Sequence, residues 1–150
     1  MKNSAADFVF VGLQILLFGA YIPNFSLFEL SMVEAVKIVN LILAFVGVMI
    51  IVISLLQLNK NLTIFPTPKK EGELVTSGLF SYMRHPIYSG ILIATFFFAL
   101  YSQSGYRLII FVLLAILFYF KTQYEERALL KKFPKYESYR ASTGRFFPKF

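Results

Sequence analysis

The sequence predicts an all-α integral membrane protein with about four transmembrane helices, the last two forming a hairpin, and a cytoplasmic C-terminal helix or lid. Hydrophobic residues make up 57% of the chain and charged residues 15%, and the mean hydropathy is +0.66. Soluble domains are nearer to about half apolar and a quarter charged. Four apolar runs, with basic residues placed unevenly between them, are typical of a membrane protein.

The first two apolar runs are each long enough to cross a bilayer, which takes about 20 helical residues. The first covers approximately residues 6–25 and has Asp7 at its start. No convincing small-residue cleavage site follows it, so we expect a retained span and not a signal peptide. The second covers approximately residues 35–58, where the one charge, Lys37, lies close enough to an end to extend towards the headgroups.

The last two apolar runs cover approximately residues 86–102 and 106–124, and only residues 103–105 separate them. So short a connection predicts a tight helical hairpin. We expect the fourth helix to continue past its apolar part. The chain has 150 residues and no internal repeat, so we expect a single transmembrane domain over residues 1–150.

The basic residues predict the orientation of the spans. Residues 24–34 carry Glu29 and Glu34 and no Lys or Arg, whereas residues 59–84 carry four basic residues and the tail from Lys121 carries eight. Cytoplasmic loops are enriched in Lys and Arg, so the middle loop, the tail and both termini are expected on the cytoplasmic side. A prokaryotic inner membrane is the expected location of so compact a chain.

The stretch SGLFSYMRHPIYSG, residues 77–90, holds the only histidine of the chain, at the start of the third apolar run. Pro86 suits the first turn of a helix, and the free N–H groups of that turn favour an anion or carboxylate. Gly78 and Gly90 permit unusual dihedrals or close backbone approach. Arg84 and His85 are also compatible with a plain anchor and helix cap at the membrane interface.

A carboxylate pair, Glu125 and Glu126, follows the fourth apolar run on the same predicted side of the membrane. Lys121 and Glu125 are four residues apart and therefore share a helix face. An ion pair on a solvated helix end is one interpretation. A binding site for a partly apolar zwitterion is the other, since carboxylates can accept hydrogen bonds from an ammonium group or from ribose hydroxyls.

Composition excludes several other site types. The chain has no cysteine and one histidine, so disulfides, thiolate metal sites and multi-histidine metal sites are excluded, and we predict no metal. The net charge of +7 is explained by membrane orientation and anionic headgroups, and no nucleic-acid motif accompanies it. We therefore expect membrane lipids and a lipophilic small-molecule or lipid substrate as partners, and no nucleic acid.

Three spaced segments carry a family resemblance: LVTSGLFSYMRHPIYSG, the predicted hairpin, and EERALLKKFPKYESYRASTGRFFP. Together they resemble the isoprenylcysteine carboxyl methyltransferase family and its bacterial relatives, a group that includes phospholipid N-methyltransferases. The resemblance covers approximately residues 74–148. The two earlier spans match only as generic hydrophobic helices.

The resemblance implies a membrane methyltransferase that uses S-adenosylmethionine, bound at the cytoplasmic side by residues 72–90 and 121–150. The positions that match imply cofactor contacts from one set of residues: Leu74, Val75, Phe80, His85, Pro86, Tyr88, Glu125 and Glu126. The basic, aromatic tail is either an interfacial amphipathic segment or a lid over the cofactor.

Arg84, Lys121 and Glu125 are the predicted catalytic residues. We expect Arg84 or Lys121 to orient an anionic acceptor, a carboxylate or a thiolate, whereas an amine acceptor needs a base such as Glu125, Glu126 or His85. Prenylcysteine enzymes have an arginine about one turn before the glutamate, where this chain has Lys121, which keeps the charge but loses the bidentate fork. A lipid-amine methyltransferase, an NADPH-dependent sterol-reductase-like enzyme and a non-enzymatic membrane subunit are the alternatives.

Overall fold

The described part of the chain is helical, as predicted. The computed structural model describes residues 4–25, 27–28 and 30–149, with the backbone alone at Lys60, so that Glu29 lies outside the described residues. The five α-helices are α1 (Ala5–Tyr21), α2 (Glu34–Leu58), α3 (Pro86–Tyr101), α4 (Gly105–Lys132) and α5 (Tyr136–Ser142). The described residues form no strand, and their one β-like feature is an isolated bridge between Met83 and Gly144.

The helix limits follow local sequence signals. Pro86 occupies the first turn of α3, as expected. The first helix ends at Tyr21, earlier than the predicted limit of 25, because Pro23 disfavours helix in the residue before it. The fourth helix continues to Lys132, well past its apolar part. Three residues join it to α3, and the two helices pack against each other, which confirms the hairpin.

Two of the described helices, α2 and α4, are long and apolar enough to cross a membrane, at 25 and 28 residues. The other two apolar helices, α1 and α3, have 17 and 16 residues, fewer than the roughly 20 that a full crossing takes. The fourfold crossing therefore stays a prediction. Along α2 many large apolar side chains are exposed, Val36, Phe45 and Leu56 among them, and such a surface suits contact with lipid.

Helix α2 packs closely on α3, and α4 packs on both α3 and α1. Two glycines permit the first of these contacts, because a Cβ on Gly90 would lie 2.7 Å from the carbonyl oxygen of Gly47. The buried core lies on α4, where Ile110, Leu114 and Phe118 form one cluster. Helices α1 and α2 form no comparable contact, so one side of the bundle is open.

The polar segments gather at one end of the bundle. Buried Asp7, at the start of α1, accepts hydrogen bonds from Thr67 N at 3.1 Å and from Thr67 Oγ1 at 2.7 Å. The hydroxyls of Ser4 and Tyr124 lie 2.7 Å apart. The start of α1, the middle loop and the end of α4 therefore meet, as the charge distribution predicted, and that this end is cytoplasmic stays a prediction.

Candidate functional site

The Arg-His-Pro segment is joined to the C-terminal tail by backbone hydrogen bonds. The N–H groups of Arg84 and His85 donate to the carbonyls of Gly144 at 2.9 Å and Arg145 at 3.1 Å. One turn into α3, buried Ser89 donates through Oγ to the carbonyl of Phe146 at 2.8 Å. Residues 84–89 and 144–146, far apart in sequence, thus form one unit at the start of α3.

Glu126 is the centre of a buried cluster beside this unit. Its Oε1 accepts hydrogen bonds from Arg84 Nε at 3.0 Å and lies 3.0 Å from His85 Nε2. Arg145 Nε lies 3.3 Å from Oε1, and Arg140 Nε lies 3.7 Å from Oε2. So many cationic neighbours keep the carboxylate ionised. Because a carboxylate only accepts, His85 donates through Nε2.

Each nitrogen of the Arg84 guanidinium has a protein partner. Two of its nitrogens, Nε and Nη2, each lie 3.0 Å from Oε1 of Glu126. The third, Nη1, donates to the carbonyls of Arg140 at 3.1 Å and of Thr143. The guanidinium thereby fixes α4 and the tail to the start of α3.

Glu125, the neighbouring residue on α4, faces the other way. The hydroxyl of Tyr88 donates to its Oε2 at 3.1 Å, and His85 Nδ1 lies 4.0 Å from the same oxygen. The Glu125 side chain is 25% exposed, against 3% for Glu126. Consecutive residues of a helix point about 100° apart, so one carboxylate enters the buried cluster and the other stays accessible.

An aromatic column connects the histidine to the core of the bundle. The rings of His85 and Tyr88 are stacked with centroids 5.7 Å apart, and those of Tyr88 and Phe118 with centroids 4.7 Å apart. Lys121 places Nζ 5.2 Å from the centroid of the Tyr88 ring and donates to Gln14 Oε1 at 2.5 Å. Lys121 is almost completely buried. The Gln14 amide and the Tyr88 ring are its polar and aromatic partners there.

These groups surround a cavity of about 240 Å³. Every predicted site residue except Glu126 lines it: Leu74, Val75, Phe80, Arg84, His85, Pro86, Tyr88, Lys121 and Glu125. Helix α3 begins at the cavity, since Pro86 and Ile87 lie in the wall. The roles assigned to these residues stay predictions, whereas their gathering at one cavity is a feature of the structure.

Long-range hydrogen bonds hold the loop residues of the cavity in place. Asn61 Oδ1 accepts from the N–H of Glu73 at 2.8 Å, just before Leu74 and Val75. Gln57 Oε1 accepts from the N–H of Leu79 at 2.9 Å, beside Gly78, whose φ of +62° confirms the unusual dihedral expected there. Phe80 follows directly. The end of α2 and the turn that follows it thus fix the loop side of the cavity.

Two tyrosines of the tail, Tyr136 and Tyr139, lie in the wall of the cavity. The hydroxyl of Tyr139 donates to the carbonyl of Phe80 at 2.5 Å. Tyr136, only 1% exposed, also lines the cavity, and its hydroxyl is the one buried side-chain polar atom of the described residues without a hydrogen-bond partner. Burial raises the pKa of Tyr136, so the hydroxyl keeps its proton and can donate to a ligand.

Sequence reasoning missed Gln14 and the tail residues Tyr136, Tyr139, Arg140 and Arg145. The tail residues belong to the run EERALLKKFPKYESYRASTGRFFP, so a signal was present without a role attached to it. The signal for Gln14 was a lone amide within an apolar helix, where polar side chains are costly and often functional.

The cavity can hold a ligand that is both polar and apolar. Glu125 and Lys121 supply opposite charges, His85 and Tyr136 supply hydrogen bonds, and apolar side chains make up the rest, Leu55, Leu58, Ile91 and Leu129 among them. No group of three or more His, Cys, Asp or Glu side chains that could hold a metal ion occurs among the described residues.

Comparison with known proteins adds one finding. The sequence model of one family, described as phospholipid methyltransferase, matches residues 35–136. This match runs from α2 to the first residue of α5 and includes every predicted site residue. No curated protein matches the chain at a significant level.

Proposed function

The chain belongs to the phospholipid methyltransferase family, and on that premise we propose that this membrane methyltransferase uses S-adenosylmethionine to methylate a lipid amine. The family resemblance expected from the sequence is thereby confirmed, and with it the general activity. The finer statement, cofactor and acceptor together, rests mainly on one observation: Glu125 faces the cavity beside His85 Nδ1 and Tyr88.

The residues of the cavity fit S-adenosylmethionine. Glu125 suits its ammonium group or its ribose hydroxyls, and the first turn of α3 suits its carboxylate. The apolar side chains of Leu74, Val75 and Phe80 suit its flat adenine. The unpaired hydroxyl of Tyr136 supports such a ligand, because a buried donor without a partner costs free energy that a ligand acceptor recovers.

When bound, the cofactor supplies an electrophilic methyl group. The chain's own task is to align the acceptor, exclude water and remove a proton. A lipid ammonium has to lose one proton before its nitrogen has a lone pair to offer, and the Glu125 carboxylate or His85 Nδ1 accepts that proton. His85 is suited to this because its Nε2 is committed to Glu126 and its Nδ1 faces Glu125.

The contacts of Arg84 favour an amine acceptor over an anionic acceptor. An acceptor carboxylate needs a cation with free donors, and the Arg84 guanidinium is already bound to Glu126 and to tail carbonyls. In our proposal Arg84 positions the site and does not touch the acceptor. Lys121 assists deprotonation, since a nearby positive charge disfavours the ammonium form of the acceptor.

Methylation of a carboxylate or thiolate is the second candidate. Lys121 favours it, because its ammonium group lines the cavity and could pair with an anion. This candidate needs no base, and it corresponds to the isoprenylcysteine side of the wider group. The two candidates differ in how the reaction rate depends on pH.

We further propose that the site faces the cytoplasm from a prokaryotic inner membrane, with both termini on that side and the tail acting as a lid. The clustering of basic residues in the middle loop and tail supports the orientation. The contacts of Tyr136 and Tyr139 with the cavity support the lid.

The test is a calorimetric titration of detergent-purified protein with S-adenosylmethionine, S-adenosylhomocysteine and NADPH. We expect saturable binding of the first two, weakened about 10- to 100-fold in Glu125→Gln by the loss of a charge-assisted hydrogen bond. Glu137→Gln is the matched control, since Glu137 is exposed on α5 and outside the cavity. Binding of NADPH alone would indicate a reductase, and binding of none would indicate a non-enzymatic subunit.

A further inference from the structure

A second cavity, of about 600 Å³, lies farther along the helices, between α2, α3 and the end of α1. Its lining is almost entirely apolar: Tyr21, Leu41, Ile42, Ala44, Phe45, Val48, Ala94, Thr95 and Phe98. The polar atoms that it contains are satisfied within the protein. The hydroxyl of Tyr21 donates to the carbonyl of Thr95 at 2.5 Å, and Thr95 Oγ1 donates to the carbonyl of Ile91 at 2.7 Å.

Three of the helices that line the cavity around Glu125 and His85, which we call the polar cavity, also line the second cavity: α1, α2 and α3. On α2, Val48 lines the second cavity and Leu55, seven residues later, lines the polar cavity. On α1 the corresponding pair is Tyr21 and Gln14, again seven apart. Seven residues are about two helical turns, or roughly 10 Å, so the second cavity lies about that far beyond the polar cavity along the same helices.

The third helix provides the floor that connects them. Ile91 lines the polar cavity and Thr95, one turn later on the same face, lines the second. Because α1 and α2 form no helix contact comparable to the others, the space above this floor is open at the side. Phe45 and Val48, at its edge, are 61% and 42% exposed. We call the second cavity with this open side the trough.

We propose that the trough binds one hydrocarbon chain of the lipid whose headgroup reacts in the polar cavity. The inference rests on the proposed function for the headgroup, and on the geometry above for the chain. The trough offers no free hydrogen-bonding group to a polar ligand, and it opens at the depth of the apolar helices. A hydrocarbon chain matches both properties.

The trough acts by positioning and not by hydrophobic attraction. A chain that leaves the bilayer for an apolar trough exchanges one apolar surrounding for another, so the gain comes from close packing. A chain fixed about two helical turns from the polar cavity restricts where the attached headgroup can lie. Such restriction is what aligns an acceptor for reaction.

The absence of tryptophan from the sequence permits a direct test with a single fluorescent reporter. Phe45→Trp places the reporter in the trough, and Val46→Trp is the matched control. Val46 is the next residue of α2, is 46% exposed and lines neither cavity. The probe is dibrominated phosphatidylethanolamine, whose bromine atoms quench tryptophan on contact, titrated into detergent-solubilised protein.

We expect quenching of Phe45→Trp to level off near one bound lipid per protein and to reverse on addition of unbrominated phosphatidylethanolamine. Quenching of Val46→Trp should rise only in proportion to the lipid-to-detergent ratio. Proportional quenching in both variants would mean boundary lipid only and would overturn the proposal. Weaker quenching of Phe45→Trp than of Val46→Trp at every ratio would also overturn it, by showing that protein covers the trough.

S-adenosylhomocysteine titrated into the same samples separates this proposal from the proposed function. Cofactor binding without saturable quenching would overturn the proposal that the trough binds a lipid chain and would leave the methyltransferase proposal intact. Saturable quenching without cofactor binding would support the lipid site and would overturn the proposal that the protein uses S-adenosylmethionine. If Phe45→Trp does not fold, Leu41→Trp, one turn away in the same trough, replaces it as the reporter.

Discussion

His85 Nε2 lies 3.0 Å from Oε1 of Glu126, while His85 Nδ1 faces the Oε2 of Glu125 at 4.0 Å. One imidazole thus stands between two consecutive glutamates that have different surroundings. Glu126 is enclosed by cationic groups, and Glu125 opens onto the cavity. We therefore expect the two carboxylates to have different roles, Glu126 in stability and Glu125 in ligand binding, and the two roles can be measured separately.

Glu126→Gln is expected to destabilise the protein. The substitution removes the charge that Arg84, His85 and Arg145 share in a buried site, and the loss of one partner from such a cluster costs about 3–5 kcal/mol of unfolding free energy. Fluorescence-detected size exclusion after heating measures the fall in thermal stability, with Glu137→Gln as the unaffected control. Unchanged thermal stability together with lost S-adenosylhomocysteine binding would show that Glu126 is instead a ligand contact.

Tyr136→Phe is expected to lower the affinity for the ligand without lowering the stability of the protein. The change removes a buried hydroxyl without a partner, so the ligand-free protein should be as stable as before or more stable. Affinity for S-adenosylhomocysteine should fall about tenfold, the equivalent of one hydrogen bond of roughly 1.4 kcal/mol. Tyr139→Phe is the matched comparison, and it should lose stability because its hydroxyl donates to Phe80. Equal affinity in Tyr136→Phe and wild type would remove Tyr136 from the binding site.

Arg84→Lys is expected to behave as a positioning variant. A lysine cannot replace a guanidinium that binds Glu126 and the carbonyls of Arg140 and Thr143 at once. Thermal stability should therefore fall, and the tail should become more sensitive to limited proteolysis. A variant with normal stability and cofactor affinity but no turnover would return Arg84 to the acceptor-orienting role.

Lys121→Met is expected to slow methyl transfer to phosphatidylethanolamine at pH 7. The rate should recover as the pH rises. Without the Lys121 charge, the acceptor holds its proton more tightly, so a higher pH is needed to produce the neutral amine. Rates between pH 7 and pH 9, at saturating S-adenosylmethionine, measure the effect. A loss that does not recover at alkaline pH would indicate that Lys121 pairs with an anionic acceptor, which is the second candidate function.

Gly90→Ala is expected to destabilise the protein by disturbing the close contact between α2 and α3. The added Cβ would lie 2.7 Å from Gly47 O and 2.8 Å from Ile51 Cγ1, and forcing extra atoms into a packed contact costs about 1–3 kcal/mol. Gly12→Ala is the control, because a Cβ there meets no atom within 4 Å. Equal thermal stability of the two variants would show that the close contact between α2 and α3 is not needed.

Local signals predicted the helices well. Pro86 fixes the start of α3, and the apolar run of α2 places its ends within one residue of the prediction. These features depend on neighbours in sequence, which is why they can be read without a structure. The gathering of residues 74–88 and 121–125 at one cavity was implied by a family resemblance and not by local pattern.

The division of labour within the site was not predictable. Glu125 and Glu126 have the same chemistry and adjacent positions, and what distinguishes them is the path of the tail that brings Arg140 and Arg145 to one face of α4. The contact between Lys121 and Gln14 joins residues 107 positions apart. Side-chain partners at such separations depend on helix packing, which no periodicity encodes.

The bridge between the Arg-His-Pro segment and the tail has a consequence for biosynthesis. Residues 140–146 leave the ribosome after all four apolar helices. Without them Glu126 lacks Arg140 and Arg145, and Arg84 lacks the carbonyls of Arg140, Thr143 and Gly144. Insertion of the helices can therefore precede completion of the site. A chain whose helices have been inserted, but whose residues 140–146 have not yet been made, would therefore lack the assembled site.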